Sequence, residues 1–261
     1  MNTSVIIPVF NQLSYTKICI ESIKKNNSDI AYEIIVINNG STDGTEEYLK
    51  QAGIVYINNK ENLGAAKAWN QGIKQSKGDY LFIINNDIIV CKDWIKNLIN
   101  IYNSEKNIGI LSPATREGEL NYDFDEYSKK FIDKMKTIRQ EGFFGWCIVI
   151  KKDRFEKTGL FCEEFETGIG EDTDFFIRLK KYGYKNYITG ATFVHHFGSR
   201  TLNDVKRLKG DIFEQNNIKK LREKWHIKGE PYFCRKTKSL IKFIKNMWLK
   251  IFYGYILFEK K

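Results

Sequence analysis

Short apolar runs alternate with amphipathic segments from residue 3 to about residue 112 of the chain. The apolar runs cover residues 5–7, 33–37, 55–57 and 80–84, and polar or turn-forming residues bound each of them. Runs of this length that carry several β-branched side chains predict strands buried on both faces of a sheet.

The segments between these runs have helical spacing. Apolar residues recur three and four positions apart over residues 15–23, 65–77 and 94–102. Strand and helix therefore alternate, which predicts βαβ units, a mostly parallel sheet and right-handed crossovers. Ligands bind such sheets at the carboxyl ends of the strands, near a switch in strand order, so the chemistry is expected in the loops that follow the strands.

The second half of the chain is more polar. Residues 117–140 form a charged excursion that is compatible with a helix, and residues 143–150 predict another strand. A helix is predicted over 172–182 and a short strand over 191–194. Residues 203–224 are long, polar and amphipathic, which predicts a further helix.

Composition indicates a folded protein with a sizeable core. The chain has 261 residues, of which 42% are hydrophobic and 28% charged. Its five cysteines include no closely spaced pair, which argues against a disulfide framework or a zinc site and favours a reducing cytoplasm. The first residues lack the basic segment of a signal peptide, so none is expected. The longest apolar stretch, residues 247–258, contains Lys250 and is too short to span a bilayer.

Most of the net charge of +10 lies near the end of the sequence. Residues 235–261 hold eight basic residues and one acidic residue, together with aromatic and aliphatic residues at helical spacing. Such a helix is typical of the interface of an anionic membrane. The alternative is a helix that packs on the rest of the chain or on a second subunit. The apolar content argues against a nucleic-acid partner, for which no motif is present.

The loop after the second predicted strand, residues 38–45, combines asparagines, Asp43 and two glycines. Glycines allow close backbone approach to a ligand, and Asn or Asp side chains can bind a base or ribose. The alternative is an ordinary turn in which Thr42 or Asp43 caps the next helix.

The loop after the fourth predicted strand reads Asn85, Asn86, Asp87. A carboxylate at the carboxyl end of a buried strand is a plausible ligand for Mg²⁺ or Mn²⁺, since hard cations take oxygen donors. The alternative is that Asp87 caps a helix over residues 92–102.

Residues 163–174 contain six acidic residues and no basic one. Glu171 and Asp172 are expected at the start of a helix, where the dipole favours carboxylates. Clustered carboxylates also raise one another's pKa, which suits a general base. Asp174 can instead pair with Arg178 one helical turn later.

His195 and His196 are adjacent and follow a predicted strand, ahead of Gly198, Ser199 and Arg200. Such a pair can bind a metal or a phosphate. Neighbours in a strand point to opposite faces, so one of the two is expected to act, and either remains a candidate.

These loops, in this order, resemble the nucleotide-sugar glycosyltransferases of family 2, which have the GT-A fold. Residues 4–11 resemble the opening strand of that family, and residues 38–43 its Asp-Asp-Gly-Ser-x-Asp loop. Residues 62–72 are similar to its Asn-x-Gly…Asn-x-Gly stretch, and residues 85–87 stand at its metal-binding D-x-D position. Residues 159–174 resemble its acceptor-side block with the Glu-Asp base motif. The similarity covers residues 3 to about 200.

The resemblance implies an α/β protein of GT-A fold: a single Rossmann-like mixed sheet flanked by helices, with a C-terminal amphipathic helical extension. It implies a catalytic domain over 1–202. The pattern and charge of the remaining residues predict a helical segment packed on it over 203–234 and a basic membrane-associating tail over 235–261. The Asn-x-Gly…Asn-x-Gly stretch and the preceding loops would bind the donor, through Pro8, Phe10, Asn11, Asn39, Asp43, Asn62, Gly64, Lys67, Asn70 and Asn86.

The resemblance also implies the chemistry, an inverting sugar transfer. Asp87 with His195 or His196 would hold Mg²⁺ or Mn²⁺ on the donor diphosphate. Asp172 would deprotonate the acceptor hydroxyl, and Glu171 would tune or orient it. On the acceptor side the implied residues are Gly145, Trp146 and Asp174.

The function expected is that of a metal-dependent hexosyl- or deoxyhexosyltransferase of bacterial-type surface polysaccharide synthesis, peripheral to the inner face of the membrane. Its acceptor would be a glycan or a lipid-linked sugar. The chain departs from the family at Asn38 and Asn39, which replace acidic residues, and at Cys162, which replaces Asp. The alternative is therefore a glycosyltransferase-like module that binds a nucleotide sugar without turnover. A Rossmann dehydrogenase is excluded, because residues 8–11 after the first strand are not glycine-rich.

Overall fold

The computed structural model describes residues 2–165, 170–198, 200, 212–227 and 232–260, and for residues 212–213, 232–238 and 240 the backbone alone. The predictions made for residues 1, 166–169, 199, 201–211, 228–231 and 261 lie outside this part of the chain.

The described residues form one mixed sheet of ten strands with helices packed against it. The strands are β1 (Thr3–Val9), β2 (Glu33–Asn39), β3 (Val55–Asn59), β4 (Tyr80–Ile84), β5 (Ile88–Val90), β6 (Ile108–Glu117), β7 (Arg139–Glu141), β8 (Cys147–Lys151), β9 (Lys185–His196) and β10 (Phe258–Lys260). The helices are α1 (Leu13–Asn26), α2 (Thr45–Gln51), α3 (Ala65–Gln75), α4 (Trp94–Ser104), α5 (Phe124–Met135), α6 (Arg154–Thr158), α7 (Glu171–Lys181), α8 (Ile212–Trp225) and α9 (Tyr232–Tyr253).

The strand order is β3-β2-β1-β4-β8-β6-β9-β5, with β10 beside β6 and β7 beside β9. The first four strands along the chain are parallel, and β8 then runs antiparallel to β4. The order reverses at β1, which lies between β2 and β4. The carboxyl ends of these three strands therefore meet at a switch point, where ligands of open α/β sheets bind. The predicted mixed sheet flanked by helices is confirmed.

Alternating side chains of β1 enter two separate cores, one on each face of the sheet. Val5 and Ile7 pack in the core that includes α1 and α4, whereas Ile6 packs with α3 on the opposite face. Strand residues buried this way need apolar side chains on both faces, which explains the continuous apolar runs in the sequence.

Two elements differ from the sequence prediction. β3 is an edge strand and Val55 is 52% exposed, so the expectation that this run is buried on both faces was wrong. β9 is much longer than the predicted strand at 191–194, because it pairs with β6 along most of its length. The charged excursion, compatible with a helix in the sequence, does contain one: α5, which presents Phe131 and Met135 to the core.

The end of the described chain returns to the sheet. After α9, Leu257 is buried and Tyr255 packs edge-on against Tyr127 and Phe131 of α5. β10 then pairs in parallel with the last residues of β6. The helical part and the final residues of the predicted tail are thus different structures: α9 has a broad exposed face, whereas β10 belongs to the sheet. None of the described helices is long and apolar enough to cross a membrane.

Candidate active site

The loops after β1 and β2 are joined by hydrogen bonds at the switch point. Asn11 has a left-handed backbone, and its amide oxygen accepts from the backbone N–H of Thr42 at 2.9 Å. Its own N–H donates to Ser41 Oγ at 2.8 Å. Asp43 accepts from the N–H of Leu13 at 2.8 Å, which orders the start of α1. The alternative role of Asp43 as a cap for its own helix gives way to this contact, since Gly44 holds the N-cap of α2.

Asn39 is buried, and its side-chain amide forms hydrogen bonds with other groups of the protein. Its oxygen accepts from the N–H of Leu63 at 3.1 Å and from Asn59 Nδ2 at 3.0 Å, and its nitrogen donates to Asn62 Oδ1 at 2.8 Å. Asn62 in turn accepts from the N–H of Gly64, where α3 begins. Asn39 therefore shapes the predicted donor loop.

Asn70, another predicted donor residue, lies at 2% exposure and connects α3 to the segment after α6. Its side chain exchanges two hydrogen bonds with the backbone of Phe161 and donates to Glu163 at 2.7 Å. Lys67, on the same helix, is exposed. Pro8 and Phe10 are half-buried at the end of β1.

Asp87 lies between β4 and β5, and it is 2% exposed. β5 follows it directly, so the alternative role as a helix cap is wrong; Asp93 holds the N-cap of α4. The backbone N–H of Arg200 donates to Asp87 Oδ2 at 3.2 Å. Asn86 Nδ2 donates to Thr16 Oγ1 on α1 at 2.9 Å.

The two histidines occupy different surroundings, as the alternation along a strand requires. His196 Nε2 lies 3.2 Å from Asp87 Oδ1, while His195 Nδ1 lies 2.9 Å from the hydroxyl of Tyr122. Burial lowers the pKa of His195 to about 4. Burial acts the same way on His196, but the carboxylates of Asp87 and Glu117 outweigh it and raise the pKa of His196 to about 9.

Asp87 Oδ1 and His196 Nε2 are the pair of atoms that fits a divalent cation. Both are buried and they face each other at 3.2 Å as an ion pair, in which a cation could take the place of the Nε2 proton. The described residues contain no cluster of three or more His, Cys, Asp or Glu that could hold a metal. A cation held here would therefore take further ligands from water and from a substrate diphosphate, which is common for Mg²⁺.

Two neighbours of His196 were not among the predicted site residues. Glu117 Oε2 lies 3.2 Å from His196 Nδ1, and Lys260 Nζ lies 2.8 Å from Glu117 Oε1. Hydrogen bonding with His196 and Lys260 lowers the pKa of Glu117 to about 2. Trp146, predicted on the acceptor side, stacks on the His196 ring at 4.9 Å with 9° between the planes.

The predicted base lies at the N-terminus of α7. Glu171 is 2% exposed, and Asp172 accepts from the N–H of Thr173 at 2.6 Å. A Cβ added to Gly145 would lie 2.4 Å from Asp172 Oδ2, so the carboxylate rests directly on this glycine. The consecutive residues Gly145 and Trp146 thus contact the candidate base and the candidate metal ligand, which places both at one end of β8.

Burial raises the pKa of both carboxyl groups at this helix start. The charge of Asp172 adds to the effect on Glu171, whose pKa rises to about 8. Near neutral pH Glu171 therefore retains a proton, and the raised pKa of Asp172 is shifted in the direction that suits a general base.

Asp174, predicted on the acceptor side, is fully buried and holds α7 and α8 together. Arg178 lies 2.9 Å from its Oδ2, and Lys224 and Trp225 both lie 2.9 Å from its Oδ1. The alternative pairing with Arg178 is confirmed. We expect Asp174 to stabilise the fold around the site.

The Glu171→Gln substitution is expected to change how stability depends on pH. A carboxyl group whose pKa rises on folding stabilises the protein below its unfolded pKa, and this contribution is lost as pH rises through the folded value. For Glu171 this stabilisation is lost between pH 4.5, the ordinary pKa of the group, and about pH 8. Glu171→Gln should therefore raise the melting temperature by several degrees at pH 8.5 and by less at pH 5. Each kcal/mol of unfolding free energy corresponds to about 2–4 °C for a chain of this size.

Thermal unfolding at the two pH values, with exposed Glu156 changed to Gln as control, measures this effect. Equal shifts at both pH values would contradict the retained proton on Glu171.

Comparison with known proteins places this chain in a family. The sequence profile of glycosyl transferase family 2 matches residues 4–159, more than half of the chain. An uncharacterized glycosyltransferase of Bacillus subtilis, YfnE, is 31% identical over 192 residues, which cover 69% of this chain and 46% of that protein. The minor teichoic acid biosynthesis protein GgaB of the same organism is 31% identical over 198 residues, 69% of this chain and 21% of its own. The chain thus matches about half or less of these relatives.

Among solved structures, GalNAc-T7 with UDP, GalNAc and Mn²⁺ superposes with a TM-score of 0.63 at 18% identity, covering 75% of this chain and 44% of that one. At this identity the likeness shows a shared fold.

Proposed function

Since this chain belongs to glycosyl transferase family 2, we propose that it transfers a sugar from a nucleoside diphosphate donor to an acceptor hydroxyl, with inversion at the anomeric carbon. One observation carries the proposal. Gly145 and Trp146, adjacent in the chain, contact Asp172 and His196, so a buried carboxylate base and a cation-binding pair flank one short segment. An inverting displacement needs a base on the acceptor side and charge stabilisation on the leaving-group side.

Asp172 is the proposed general base. It would take the proton of the acceptor hydroxyl while the oxygen attacks the anomeric carbon and the bond to the diphosphate breaks. Glu171 would hold its own proton and stay neutral beside it, which keeps a second charge away from the reacting oxygen. The helix dipole of α7 further favours the ionised form of Asp172.

Asp87 and His196 are the proposed cation ligands. A bound Mg²⁺ or Mn²⁺ would offset the negative charge that develops on the departing nucleoside diphosphate. Asp87 and His196 offer a carboxylate oxygen and a ring nitrogen 3.2 Å apart, a separation that suits two ligands of one cation. Arg200, through its backbone N–H, would keep the other oxygen of Asp87 oriented.

The proposed donor is a hexose or deoxyhexose nucleotide, and the proposed acceptor is a glycan or a lipid-linked sugar of a surface polysaccharide. The family and the likeness to a protein of minor teichoic acid biosynthesis support this acceptor class. The GalNAc-T7 structure, with UDP and Mn²⁺ in the same fold, supports the donor class and the metal.

The asparagines that replace acidic residues at 38 and 39 do not favour an inactive binding module. Asn38 donates to Asn58 and accepts from the N–H of Ser41, and Asn39 orders residues 62–64. Both amides build the loop, so their lack of charge leaves the proposed base and cation ligands untouched.

A panel of nucleotide sugars, each with Mn²⁺, tests the donor class. We expect one or a few of them to raise the melting temperature and to release nucleoside diphosphate in a Mn²⁺-dependent way. Stabilisation without any release, for every donor and with a range of oligosaccharide acceptors, would instead support the binding module.

We further propose that α9 docks the enzyme on the cytoplasmic face of an anionic membrane. Its exposed face carries large apolar side chains, among them Ile251 at 69% and Phe252 at 67% exposure. Lys242, Lys245 and Lys250 are exposed on the same helix, whereas Leu249 is buried against the domain. One face of this basic helix is anchored to the domain, and apolar side chains are exposed on another. Such a helix is suited to lie in a lipid interface.

Serine at both Trp248 and Phe252 should weaken binding to anionic vesicles. A large apolar side chain contributes about 1.5–3 kcal/mol when it is buried, so the double substitution should lower vesicle binding by about tenfold or more. Co-sedimentation with phosphatidylserine vesicles measures the effect. The control is serine at Val55 and Tyr182, which are exposed elsewhere at 52% and 57%. Unchanged sedimentation of the α9 variant, or a dimer that this variant alone dissociates, would overturn the docking proposal.

A further inference from the structure

The last described strand reaches the surroundings of both histidines. β10 pairs with β6 so that Lys260 lies opposite Glu117 and Glu259 opposite Arg116. Lys260 Nζ contacts Glu117 Oε1 at 2.8 Å, and the other oxygen of Glu117 lies 3.2 Å from His196 Nδ1. A continuous chain of polar contacts therefore runs from β10 to His196 and on to Asp87.

We propose that Glu117, held in place by Lys260, is a positioning residue that aims His196 Nε2 at the cation site. The inference rests on the proposed role of Asp87 and His196. An ionised carboxylate only accepts hydrogen bonds, so Glu117 accepts the Nδ1 proton of His196 and turns Nε2 toward Asp87, where a cation would replace the Nε2 proton. Metal-binding histidines commonly donate their second nitrogen to a carboxylate in this way, and the partner orients the ring.

The other two residues of β10 lie near one histidine each, Phe258 near His196 and Glu259 near His195. Phe258 packs against Trp146 at 5.7 Å, and Trp146 stacks on His196. Glu259 lies 3.6 Å from Arg116, and the guanidinium of Arg116 lies over the ring of Tyr122 at 4.1 Å. Phe258 and Lys260 thus hold His196 in place through Trp146 and Glu117, whereas Glu259 acts on the neighbours of His195.

This arrangement assigns a part of the donor site to a segment beyond residues 4–159, where the family profile matches. It also joins the proposed membrane helix α9 to the cation site through one short stretch of chain. A helix docked on lipid and a strand that holds a cation ligand are separated by residues 254–257 alone.

The test measures Mn²⁺ binding to the full chain in the absence of any donor, by electron paramagnetic resonance of the free ion. Glu117→Met keeps the size of the side chain and removes its acceptors, so the Mn²⁺ dissociation constant should rise by about 10- to 100-fold. Lys260→Met should raise it by about two- to fivefold, which is what an exposed ion pair contributes, and Lys260→Arg should restore it. Lys130→Met, which removes an exposed pair with Glu126, should leave Mn²⁺ binding unchanged.

Lys260 is largely exposed, so its variants test the proposal even where Glu117→Met does not fold. Mn²⁺ binding by Lys260→Met equal to that of wild type, or equal losses for Lys260→Met and Lys130→Met, would overturn the inference. An Asp87→Asn variant measured alongside distinguishes failure of the positioning role from failure of the proposed cation site. Loss of Mn²⁺ binding in Asp87→Asn but not in the Glu117 or Lys260 variants would reject only the positioning role. Unchanged binding in Asp87→Asn would reject the cation site itself.

Discussion

Replacing Asp172 by Asn should lower the rate of sugar transfer by about 10²- to 10⁴-fold, the usual contribution of a general base. Asn matches Asp in size and can keep the contacts with Thr173 and Gly145, but it cannot take the proton of the acceptor hydroxyl. Donor affinity and Mn²⁺ affinity should stay near those of the wild type, because Asp172 contacts neither of the proposed cation ligands in the described structure. Steady-state kinetics measure the transfer rate, and calorimetry measures whether donor affinity is unchanged.

The matched control is Asp153→Asn, an exposed aspartate near the start of α6. Its transfer rate should equal that of the wild type. If Asp172→Asn transferred sugar as fast as this control, Asp172 would not be the base.

Gly145 offers an independent approach to the same carboxylate. Ala at this position would bring a methyl group to 2.4 Å from Asp172 Oδ2, so the carboxylate must move. A displacement of about 1 Å in a catalytic group can cost about 10²-fold in rate, so we expect a fall in kcat of that order.

Replacing Asp87 by Asn should remove the dependence of donor binding on Mn²⁺ and lower transfer by about 10²- to 10³-fold, since charge stabilisation of a leaving group contributes several kcal/mol. The buried amide would keep the hydrogen bond from the backbone of Arg200 but would be a far weaker cation ligand. His196 alone would then remain opposite the diphosphate. Titration of the transfer rate with Mn²⁺ measures the change.

Asp79→Asn is the matched control for this substitution, because Asp79 is exposed and precedes the opposite end of β4. It should show the Mn²⁺ dependence of the wild type. An Asp87→Asn variant with the same Mn²⁺ dependence as Asp79→Asn would exclude Asp87 from cation binding.

The fold and the location of the site could be predicted from local pattern. The apolar runs that became β1, β2 and β4 have the period and length of buried strands, and parallel strands bring their carboxyl ends to one edge. Alternation along a strand also implied that one of His195 and His196 faces the site. Deciding between them needed the pairing of β9 with β5, which places His196 opposite Ile88, next to Asp87.

The partners of individual polar side chains could not be predicted, because they come from distant parts of the chain. Asn70 and Asp174 have residue types that suit ligand binding, but each meets partners brought in by another element. The same limit applies to Glu117 and Lys260. Their contact depends on a parallel pairing of β10 with β6, and a strand of three residues has no periodic signal in the sequence.

The most direct test of the account is release of nucleoside diphosphate from the donor that stabilises the protein, measured with an acceptor in Mn²⁺ and in EDTA. The account predicts fast release by the wild type in Mn²⁺, and release slowed by at least about 10²-fold in EDTA, in Asp87→Asn and in Asp172→Asn. Release that is equally fast in EDTA, or equally fast in both variants, would contradict a cation-assisted transfer with Asp172 as the base.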